Sequence, residues 1–381
     1  MKEDDGKEFK VNVNDFSQKR KRGVSGILRV RNDAEFLEAS IDSCIDALDE
    51  LIIVYNDCTD ESPSIIARKA SEYKGKIRYF EYKPKIYANN LNLDEYEYIK
   101  SQPKDSIHLL SNYYNYALSK VQYEFVIKID ADQIYVSYRL KELCDAYRTS
   151  KKFVINPWSF FCFLYFYISL ILYKKTSVSL FFLEKYLYKK YKEVLIKLVA
   201  NFKIPVFISG YNVIVKDDKF YSSLGKYNKM GLNILPPYNG VTDHTIFRLT
   251  SKTYFSPYED KMYGCLNSQS FTLIETLNGL KTVLPFGFMW IHLNGMRRNI
   301  VQSQMVNFKQ YTAYYLYIED FIKTKFEKLN VSKDEVIFQR QNRLMYSVFH
   351  NASLNENLEI IDFVDNYYIT KGDMFYLKQK A

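Results

Sequence analysis

The chain has 381 residues and a formal net charge of +9, and aromatic side chains make up 17% of it. This length accommodates two domains of average size or one large α/β domain with an appendage. With only 13 Gly and 9 Pro, a linker or low-complexity chain is excluded. Five cysteines, an odd number without the paired spacing of metal ligands, argue against a disulfide framework or a zinc site and favour a reducing compartment.

Residues 1–22 form a basic tail that is charged throughout and lacks the apolar core of a signal peptide, so we expect a cytoplasmic protein. The formal net charge of +9 indicates an anionic partner. Nucleic acid is one such partner, but no known nucleic-acid-binding motif accompanies the basic clusters. A basic chain rich in aromatic residues also suits an anionic membrane surface, so we predict a peripheral protein on the inner face of the cell membrane.

The N-terminal part alternates short apolar runs with helical patterns. Gly26–Val30 is typical of a strand, 34–45 of a helix and Leu51–Val54 of a second buried strand. A polar loop over 55–62 leads into another helical pattern at 65–73. This order predicts an α/β fold with a doubly wound, mainly parallel sheet, in which ligands bind at the carboxyl ends of the strands.

Two carboxylates end a later apolar run, 125–129. Asp130 and Asp132 are two positions apart, so a strand directs both to the same side. Paired carboxylates suit a hard divalent cation such as Mn²⁺ or Mg²⁺, which keeps room for phosphate oxygens. An ordinary Asp-x-Asp turn at a strand end is the alternative. Because the polar loop 55–62 is expected at the same sheet edge, the pair predicts a site for a metal-bound diphosphate.

Three separated segments resemble the nucleotide-sugar-binding half of a GT-A glycosyltransferase, in the order that this fold uses: SGILRVRND, YNDCTDES and SNYYNYALSKVQYEFVIKIDADQIY. The segments YNDCTD, NYYNYA and KIDADQIY are similar to those of bacterial lipooligosaccharide β-1,4-N-acetylgalactosaminyltransferases. The resemblance covers residues 24–136. It implies a GT-A fold, a Rossmann-like sheet with a helical C-terminal extension, in which residues 23–136 bind the nucleotide sugar.

The resemblance also implies roles for individual residues. The two arginines lie beside the nucleotide, the Asn-Asp pair of the polar loop faces the uridine, and the DxD pair with its middle alanine holds the metal–diphosphate. Ordinary surface charges and helix caps are the alternatives for the arginines and loop aspartates, and Asp60 is expected to be a cap. The implied donor-binding residues are Arg29, Arg31, Asn56, Asp57, Asn115, Asp130, Ala131 and Asp132.

Residues 137–305 are predicted to bind the acceptor and carry out the chemistry. Gly210 interrupts an apolar strand, where the missing side chain lets a ligand approach the backbone. By the resemblance, Gly210, Tyr211 and Asn212 lie on the acceptor side.

Residues 242–249 are expected to open a helix at Asp243. By the resemblance, Asp243 falls on the catalytic-base position of an inverting transfer, in which a carboxylate removes the proton of the acceptor hydroxyl. A helix cap is the alternative for Asp243.

His292 is the candidate third metal ligand beside Asp130 and Asp132. In many enzymes of the GT-A fold, which this chain resembles, a histidine from the C-terminal part of the chain completes the coordination of the metal. Neutral imidazole is a good ligand for manganese. A satisfied core histidine is the alternative for His292, and His244 competes for the metal role.

Residues 153–173 carry no charge and lie within an aromatic segment, 153–200. A bilayer-spanning helix, an element at the membrane interface and a buried core element are the three interpretations. Spanning would separate the predicted metal site from the predicted base, so we favour the interface. In that interpretation Phe160, Phe163 and Phe166 meet lipid.

Residues 306–381 are predicted to be helical, with helices over 308–326 and 333–349. For the whole chain, the sequence predicts a metal-dependent, inverting glycosyltransferase. The resemblance makes N-acetylgalactosamine, or a related hexose, the sugar that we expect it to move from a UDP-sugar to a cell-surface glycan such as lipooligosaccharide, O-antigen or capsule.

Two other functions stay open at this point. A nucleotidyltransferase that makes a sugar nucleotide needs a glycine-rich triphosphate loop, for which 23–26 is too sparse. The other alternative is a non-enzymatic membrane-binding protein. This interpretation assigns no role to Asp130, Asp132 and Asp243.

Overall fold

The three-dimensional structure is a computed structural model. It describes residues 6–88, 91–150, 154–176, 184–216, 219–224, 237–257, 263–264, 271–273, 275–293, 296, 315–325, 328–329, 349–371 and 374–377. The chain divides into two compact units. The first consists of Met1–Glu38, Leu48–Ala131 and Ile246–Thr282, and the second of Ala39–Ala47, Asp132–Thr245 and Val283–Ala381. The domain boundaries predicted from the sequence stay predictions.

The strands of the described residues are β1 (Lys21–Val30), β2 (Glu50–Tyr55), β3 (Ile77–Glu81), β4 (Tyr123–Asp130), β5 (Gln133–Tyr135), β6 (Val206–Asn212), β7 (Ile214–Lys216), β8 (Lys219–Ser223), β9 (Tyr238–Arg248), β10 (Phe255–Pro257), β11 (Tyr263–Gly264), β12 (Phe271–Thr272), β13 (Glu275–Leu277), β14 (Leu284–His292), β15 (Tyr315–Tyr317), β16 (Tyr368–Lys371) and β17 (Met374–Leu377).

The α-helices of the described residues are α1 (Ala34–Cys44), α2 (Ser62–Glu72), α3 (Leu93–Ser101), α4 (Leu110–Ser119), α5 (Ser137–Arg148), α6 (Pro157–Thr176), α7 (Glu184–Phe202), α8 (Ile318–Lys323), α9 (His350–Ala352) and α10 (Leu354–Tyr367). Short 3₁₀ helices cover Lys7–Phe9, Val13–Ser17 and Ile45–Ala47.

The first unit is built on parallel strands in the order β3-β2-β1-β4. Strands β1, β2 and β4 are buried along most of their length because their runs of Ile, Val and Leu are covered on both faces. Each fully buried side chain of this kind contributes about 1.5–3 kcal/mol relative to an exposed one. The predicted strands at 26–30 and 51–54 and the predicted helices at 34–45 and 65–73 are thereby confirmed.

The second unit contains the parallel pair β6 and β14, with β5 antiparallel to β14 and β9 beside β6. A second small sheet has the order β15-β8-β7. Together with the helices of the C-terminal region, this confirms the predicted fold class, an α/β chain with a mainly parallel sheet and helices at 318–323 and 354–367.

The helix expected at residues 242–249 is wrong, because residues 242–248 belong to strand β9. Phe247 pairs with Val126 and Arg248 with Phe125 of β4. The segment carries β-branched and aromatic residues that suit a pleated surface, and the open edge of β4 offers hydrogen-bond partners that the sequence does not reveal.

The expectation that Phe160, Phe163 and Phe166 face outward together is wrong for two of them. Phe163 and Phe166 are buried, while Phe160 is exposed. The residues lie on one helix, α6, and a helical repeat of 3.6 residues turns Phe163 and Phe166 to one face and Phe160 towards the solvent side. None of the helices within the described residues combines the length and the apolar character that crossing a bilayer requires.

The helix predicted over 308–326 is only partly correct. Residues 315–317 form β15, and helix α8 occupies 318–323. The first part of that prediction, 308–314, and most of the helix predicted over 333–349 lie outside the described residues.

Candidate active site

Arg29 of the first unit lies at the C-terminal end of β1, opposite Asp130 in the register with β4. Its guanidinium stacks over the ring of Tyr114, 3.8 Å from the centroid, and donates a hydrogen bond to the hydroxyl of that residue. Burial by itself lowers the pKa of Arg29, but the electrostatic influence of Tyr114, Glu275 and Asp130 outweighs it, so the pKa is raised. Arg29 is therefore a fixed positive charge at the end of the strand.

Lys128 places a second positive charge beside Asp130. Its Nζ lies 3.6 Å from Oδ1 of Asp130 and 5.5 Å from the centre of the Tyr114 ring. The Lys128 side chain is only 7% exposed, whereas that of Asp130 is 25% exposed. Because alternate residues of a strand share a face, the sequence spacing of Lys128 and Asp130 could have revealed this pair.

Polar side chains of the loop after β2 are bonded to neighbouring segments of the chain. The Asn56 amide donates to the carbonyl oxygens of Tyr82 at 2.5 Å and Pro84 at 3.0 Å. Asp57 has a positive φ of 49° and forms an exposed ion pair of 2.7 Å with Arg31. The predicted roles of Asn56, Asp57 and Arg31 at the nucleotide stay predictions, and Arg31 and Asp57 are the more accessible to a ligand.

Asp60 takes the capping role that the sequence indicated. Its Oδ2 accepts the backbone N–H of Ala34 at the start of α1, and its Oδ1 accepts that of Ser62 at the start of α2. One carboxylate thus satisfies donors of two helix N-termini.

Asn115 of α4 is tied to the backbone of β10. Its amide nitrogen donates to the carbonyl of Phe255 at 2.8 Å, and its amide oxygen accepts the N–H of Phe255 at 2.9 Å. This two-way contact fixes α4 against β10, and the predicted role of Asn115 near the sugar nucleotide stays a prediction.

Three polar side chains of the second unit form a buried row: Asp132, His292 and Asn212. Nε2 of His292 lies 3.2 Å from Oδ1 of Asp132, and Nδ1 lies 2.6 Å from Oδ1 of Asn212. The exposed fractions of the three residues are 2%, 6% and 6%. The sheet register accounts for the row, since His292 pairs with Asn212 on β6 and with Gln133 on β5, directly after Asp132.

The hydrogen bonds define the tautomer of His292. The amide nitrogen of Asn212 donates to the carbonyl of Tyr238 at 3.2 Å, so its oxygen faces His292. An amide oxygen only accepts, and Nδ1 of His292 must therefore carry a proton. In a neutral imidazole Nε2 then has a lone pair, and it faces the carboxylate of Asp132.

Two acceptors facing each other across 3.2 Å repel unless a proton or a cation lies between them. A histidine whose other ring nitrogen donates to an oxygen is the usual arrangement of a metal ligand. Imidazole nitrogen and carboxylate oxygen are suitable donors for Mn²⁺. Asp132 and His292 therefore fit a divalent cation. Among the described residues, no cluster of three or more His, Cys, Asp or Glu side chains suited to a metal was found.

Gly210 has a packing role in β6. A Cβ atom at this position would collide with the side chain and the carbonyl oxygen of Trp290 on β14. Close approach of a neighbouring strand therefore explains this glycine without any ligand. The predicted place of Gly210 on the acceptor side stays a prediction.

Tyr211 is fully buried among aromatic rings, with Tyr238 and Phe288 at centroid distances of 5.5 and 4.7 Å. Burial raises the pKa of Tyr211 well above its ordinary value. Its predicted place on the acceptor side stays a prediction.

Sequence reasoning missed a polar network next to the buried row. The amide of Gln133 and the indole N–H of Trp290 both donate to Oδ1 of Asn239, at 2.9 and 3.3 Å. The Tyr135 hydroxyl donates to Oε1 of Gln133 at 2.5 Å. The position of Gln133, directly after the DxD pair in the sequence, could have indicated its part in this network. No sequence feature indicated Asn239.

The remaining candidates lie on β9. Asp243 is within this strand, and its side chain is outside the described part of the structure. His244 is buried, with its ring 4.8 Å from that of Trp290. The metal role considered for His244 stays a prediction, whereas His292 is the histidine that contacts Asp132.

Comparison with known families identifies the chain. A sequence model of the family described as "Beta-1,4-N-acetylgalactosaminyltransferase (CgtA)" matches residues 4–224, more than half of the chain. The protein belongs to this family. The recognition made from the sequence motifs is thereby confirmed, and CgtA membership assigns the chain to the glycosyltransferases. No curated protein sequence matches the chain significantly.

Solved structures similar to this CgtA-family chain include several of glucosyl-3-phosphoglycerate synthase from Mycobacterium tuberculosis. The complex with Mn²⁺, UDP and glucosyl-3-phosphoglycerate is 17% identical, with a TM-score of 0.21, over 32% of this chain and 37% of that one. The complex with Mn²⁺, UDP-glucose and phosphoglyceric acid gives the same four values. The chain thus spans little more than a third of these proteins, and so low a TM-score supports no conclusion about the site.

Proposed function

We propose that the protein is a metal-dependent glycosyltransferase that moves a sugar from a UDP-sugar to a glycan acceptor. Its membership of the CgtA family supports this reaction class. The family description makes N-acetylgalactosamine, or a related hexose, the first donor sugar to test. The acceptor is a cell-surface glycan such as lipooligosaccharide, O-antigen or capsule.

The buried row Asp132–His292–Asn212 carries the metal part of the proposal. It places Nε2 of His292 3.2 Å from a carboxylate oxygen of Asp132, an arrangement that fits a divalent cation such as Mn²⁺. When bound, the cation neutralises negative charge that develops on the departing diphosphate. Asp130, two positions before Asp132, is the further ligand proposed from the sequence.

Basic groups of the first unit assist binding of the nucleotide. Arg29 is held by stacking on Tyr114, and Lys128 is fixed beside Asp130. Preorganised positive charges stabilise an anionic leaving group without having to reorient during the reaction. In this proposal Arg31, Asn56, Asp57 and Asn115 complete the nucleotide-sugar site.

The base of the proposed reaction is Asp243. It removes the proton from the acceptor hydroxyl while that oxygen attacks the anomeric carbon and the bond from this carbon to the diphosphate breaks. The transfer therefore inverts the configuration of the sugar. Gly210, Tyr211 and Asn212 belong to the acceptor side in this proposal.

A panel of nucleotide sugars tests the function. The purified chain is incubated with each UDP-sugar in Mn²⁺, in Mg²⁺ and in EDTA, and release of UDP is measured. We expect release from one UDP-hexose or UDP-N-acetylhexosamine only when a divalent cation is present.

The matched pair of variants is His292→Ala and His108→Ala. The ring of His108 lies in a different environment and contacts the carbonyl of Lys85. His292→Ala should lose UDP release and His108→Ala should retain it. Release that is equal in EDTA, or absent with every UDP-sugar under all three conditions, would contradict the proposal.

A further inference from the structure

A row of exposed apolar side chains runs along α6. Its members are Trp158, Phe161, Leu164, Ile168 and Ile171, with exposed fractions of 56%, 57%, 38%, 58% and 38%. They are three or four positions apart, so they lie on one face of the helix. We call these five residues the α6 row.

The opposite face of α6 is fully used in packing. The ring of Phe163 stacks on Tyr191 of α7 with centroids 5.2 Å apart, and that of Phe166 lies 4.8 Å from the same ring. Phe166 also contacts Phe349 edge-on at 6.2 Å. The helix is therefore anchored in the second unit, and the α6 row is not needed for that packing.

A helix that is apolar on all sides belongs either in a core or in contact with lipid. Contiguous exposed apolar surface on a soluble protein marks an interaction site. The α6 row extends along most of a 20-residue helix, so it exceeds the scattered exposed side chains that need no explanation.

Polar and cationic groups border one end of the α6 row. The indole N–H of Trp158 donates to the hydroxyl of Tyr186 on α7 at 2.8 Å. Lys185 and Lys189 lie on either side of Tyr186 in the sequence and are exposed. Trp and Tyr with a polar end, and Lys with a long apolar stem, are the residues enriched where hydrocarbon meets water.

We propose that the α6 row docks on the surface of an anionic phospholipid bilayer. Its apolar side chains enter the boundary between headgroups and acyl chains, and Lys185 and Lys189 face the lipid phosphates. Only one face of α6 is available to lipid because the other is packed against α7. The helix therefore lies along the surface.

The charge favours lipid over a second copy of the chain. A two-fold contact would set the α6 row against itself and bring Lys185 and Lys189 of both copies to the same interface. The chain carries a formal net charge of +9, which adds to that repulsion. An anionic membrane instead compensates these charges.

Vesicle flotation of the full chain tests the proposal. One set of vesicles is phosphatidylcholine alone and the other is an equal mixture of phosphatidylcholine and phosphatidylglycerol. We expect the protein to float with the mixed vesicles at low salt and to be largely released at 1 M salt, where the Debye length falls to about 3 Å.

Two triple variants separate the α6 row from general surface hydrophobicity. Phe161→Ser, Leu164→Ser and Ile168→Ser together should lower the bound fraction at least tenfold. The control combines Tyr79→Ser, Leu93→Ser and Tyr98→Ser, three residues exposed by 44%, 53% and 43% in the first unit, and should bind as the wild type does. Circular dichroism establishes that both variants keep their secondary structure.

The charge part of the proposal has its own variant. Lys185→Gln with Lys189→Gln should weaken binding to the mixed vesicles and reduce its dependence on salt, because fewer lipid counterions are involved.

Three outcomes overturn the proposal. One is equal flotation of the wild type and the α6-row variant. Another is a wild-type chain that does not float with the mixed vesicles at low salt. The third is a wild-type dimer in sedimentation experiments that the α6-row variant abolishes, which would assign the row to a second copy of the chain. None of these measurements depends on transferase activity.

Discussion

Nε2 of His292 lies 3.2 Å from Oδ1 of Asp132 in the buried part of the second unit. The contact joins the end of β14 to the residue just before β5. Strands β14 and β5 run antiparallel. Asn212 contacts Nδ1 of the imidazole from the other side, so that Nε2 is directed at the carboxylate. This contact gives the metal proposal a specific geometry and makes the following predictions testable.

Replacing Asp132 with Asn should abolish Mn²⁺-dependent binding of UDP while leaving the fold intact. The substitution keeps the size of the side chain and removes the charge that a divalent cation requires. Calorimetric titration with UDP in Mn²⁺ measures the loss. Asp105→Asn, an exposed loop position, is the control and should bind normally. Unchanged affinity in Asp132→Asn would remove this residue from the metal site.

Asn212→Ala should weaken metal binding without abolishing it. The amide orients His292, and loss of such an orienting partner typically costs about 10–100-fold in metal affinity. Asn212→Asp keeps an oxygen acceptor for Nδ1 and should retain most of the affinity. Mn²⁺ titration of the two variants compares them. If both variants bind as the wild type does, Asn212 has no orienting role.

Lys128→Met should raise the affinity for Mn²⁺ in the absence of nucleotide. Lys128 lies 3.6 Å from Asp130, and its charge opposes a cation there. Even in bulk water two unit charges 4 Å apart interact by about 1 kcal/mol, so we expect a gain of about fivefold or more. Mn²⁺ titration without UDP measures it.

The same titration in a double variant shows whether the gain acts through Asp130. Adding Asp130→Asn to Lys128→Met should remove the increase, since the two residues are in contact and their effects are not additive. A gain that persists in the double variant would contradict a metal-binding role for Asp130.

Asp243→Asn should retain donor binding and lose transfer. A general base contributes about 10²–10⁴-fold to the rate. The side-chain amide of the variant cannot take up the proton of the acceptor hydroxyl. Binding of UDP is followed by calorimetry and transfer by UDP release in the presence of acceptor. Wild-type turnover in this variant would assign the base to another residue.

Gly210→Ala should destabilise the fold. The added Cβ would meet both the side chain and the backbone of Trp290, and overpacking of this kind costs about 1–3 kcal/mol. Urea unfolding measures the change in the free energy of unfolding. Adding Trp290→Leu should recover only part of the loss, because the carbonyl oxygen of residue 290 remains. An unchanged midpoint for Gly210→Ala would contradict the packing role.

The sequence alone determined several elements of the N-terminal part of the chain, namely strands β1 and β2 and helices α1 and α2. The apolar runs at 26–30 and 51–54, the helical repeats after them and the Asp130–Asp132 spacing are local patterns, and local patterns fix strands, helices and the faces of neighbouring residues. The motifs around those elements also sufficed to recognise the family.

Only the tertiary structure decided how distant residues meet. Residues 242–248 belong to strand β9, part of which pairs with β4, and this long-range pairing prevails over the helical expectation. The contacts of His292 with Asp132 and Asn212 likewise depend on the register of β14 between β6 and β5. The exposed face of α6 depends on which side packs against α7. Sheet register and helix rotation are set by packing between segments far apart in the chain, and no local sequence pattern contains that information.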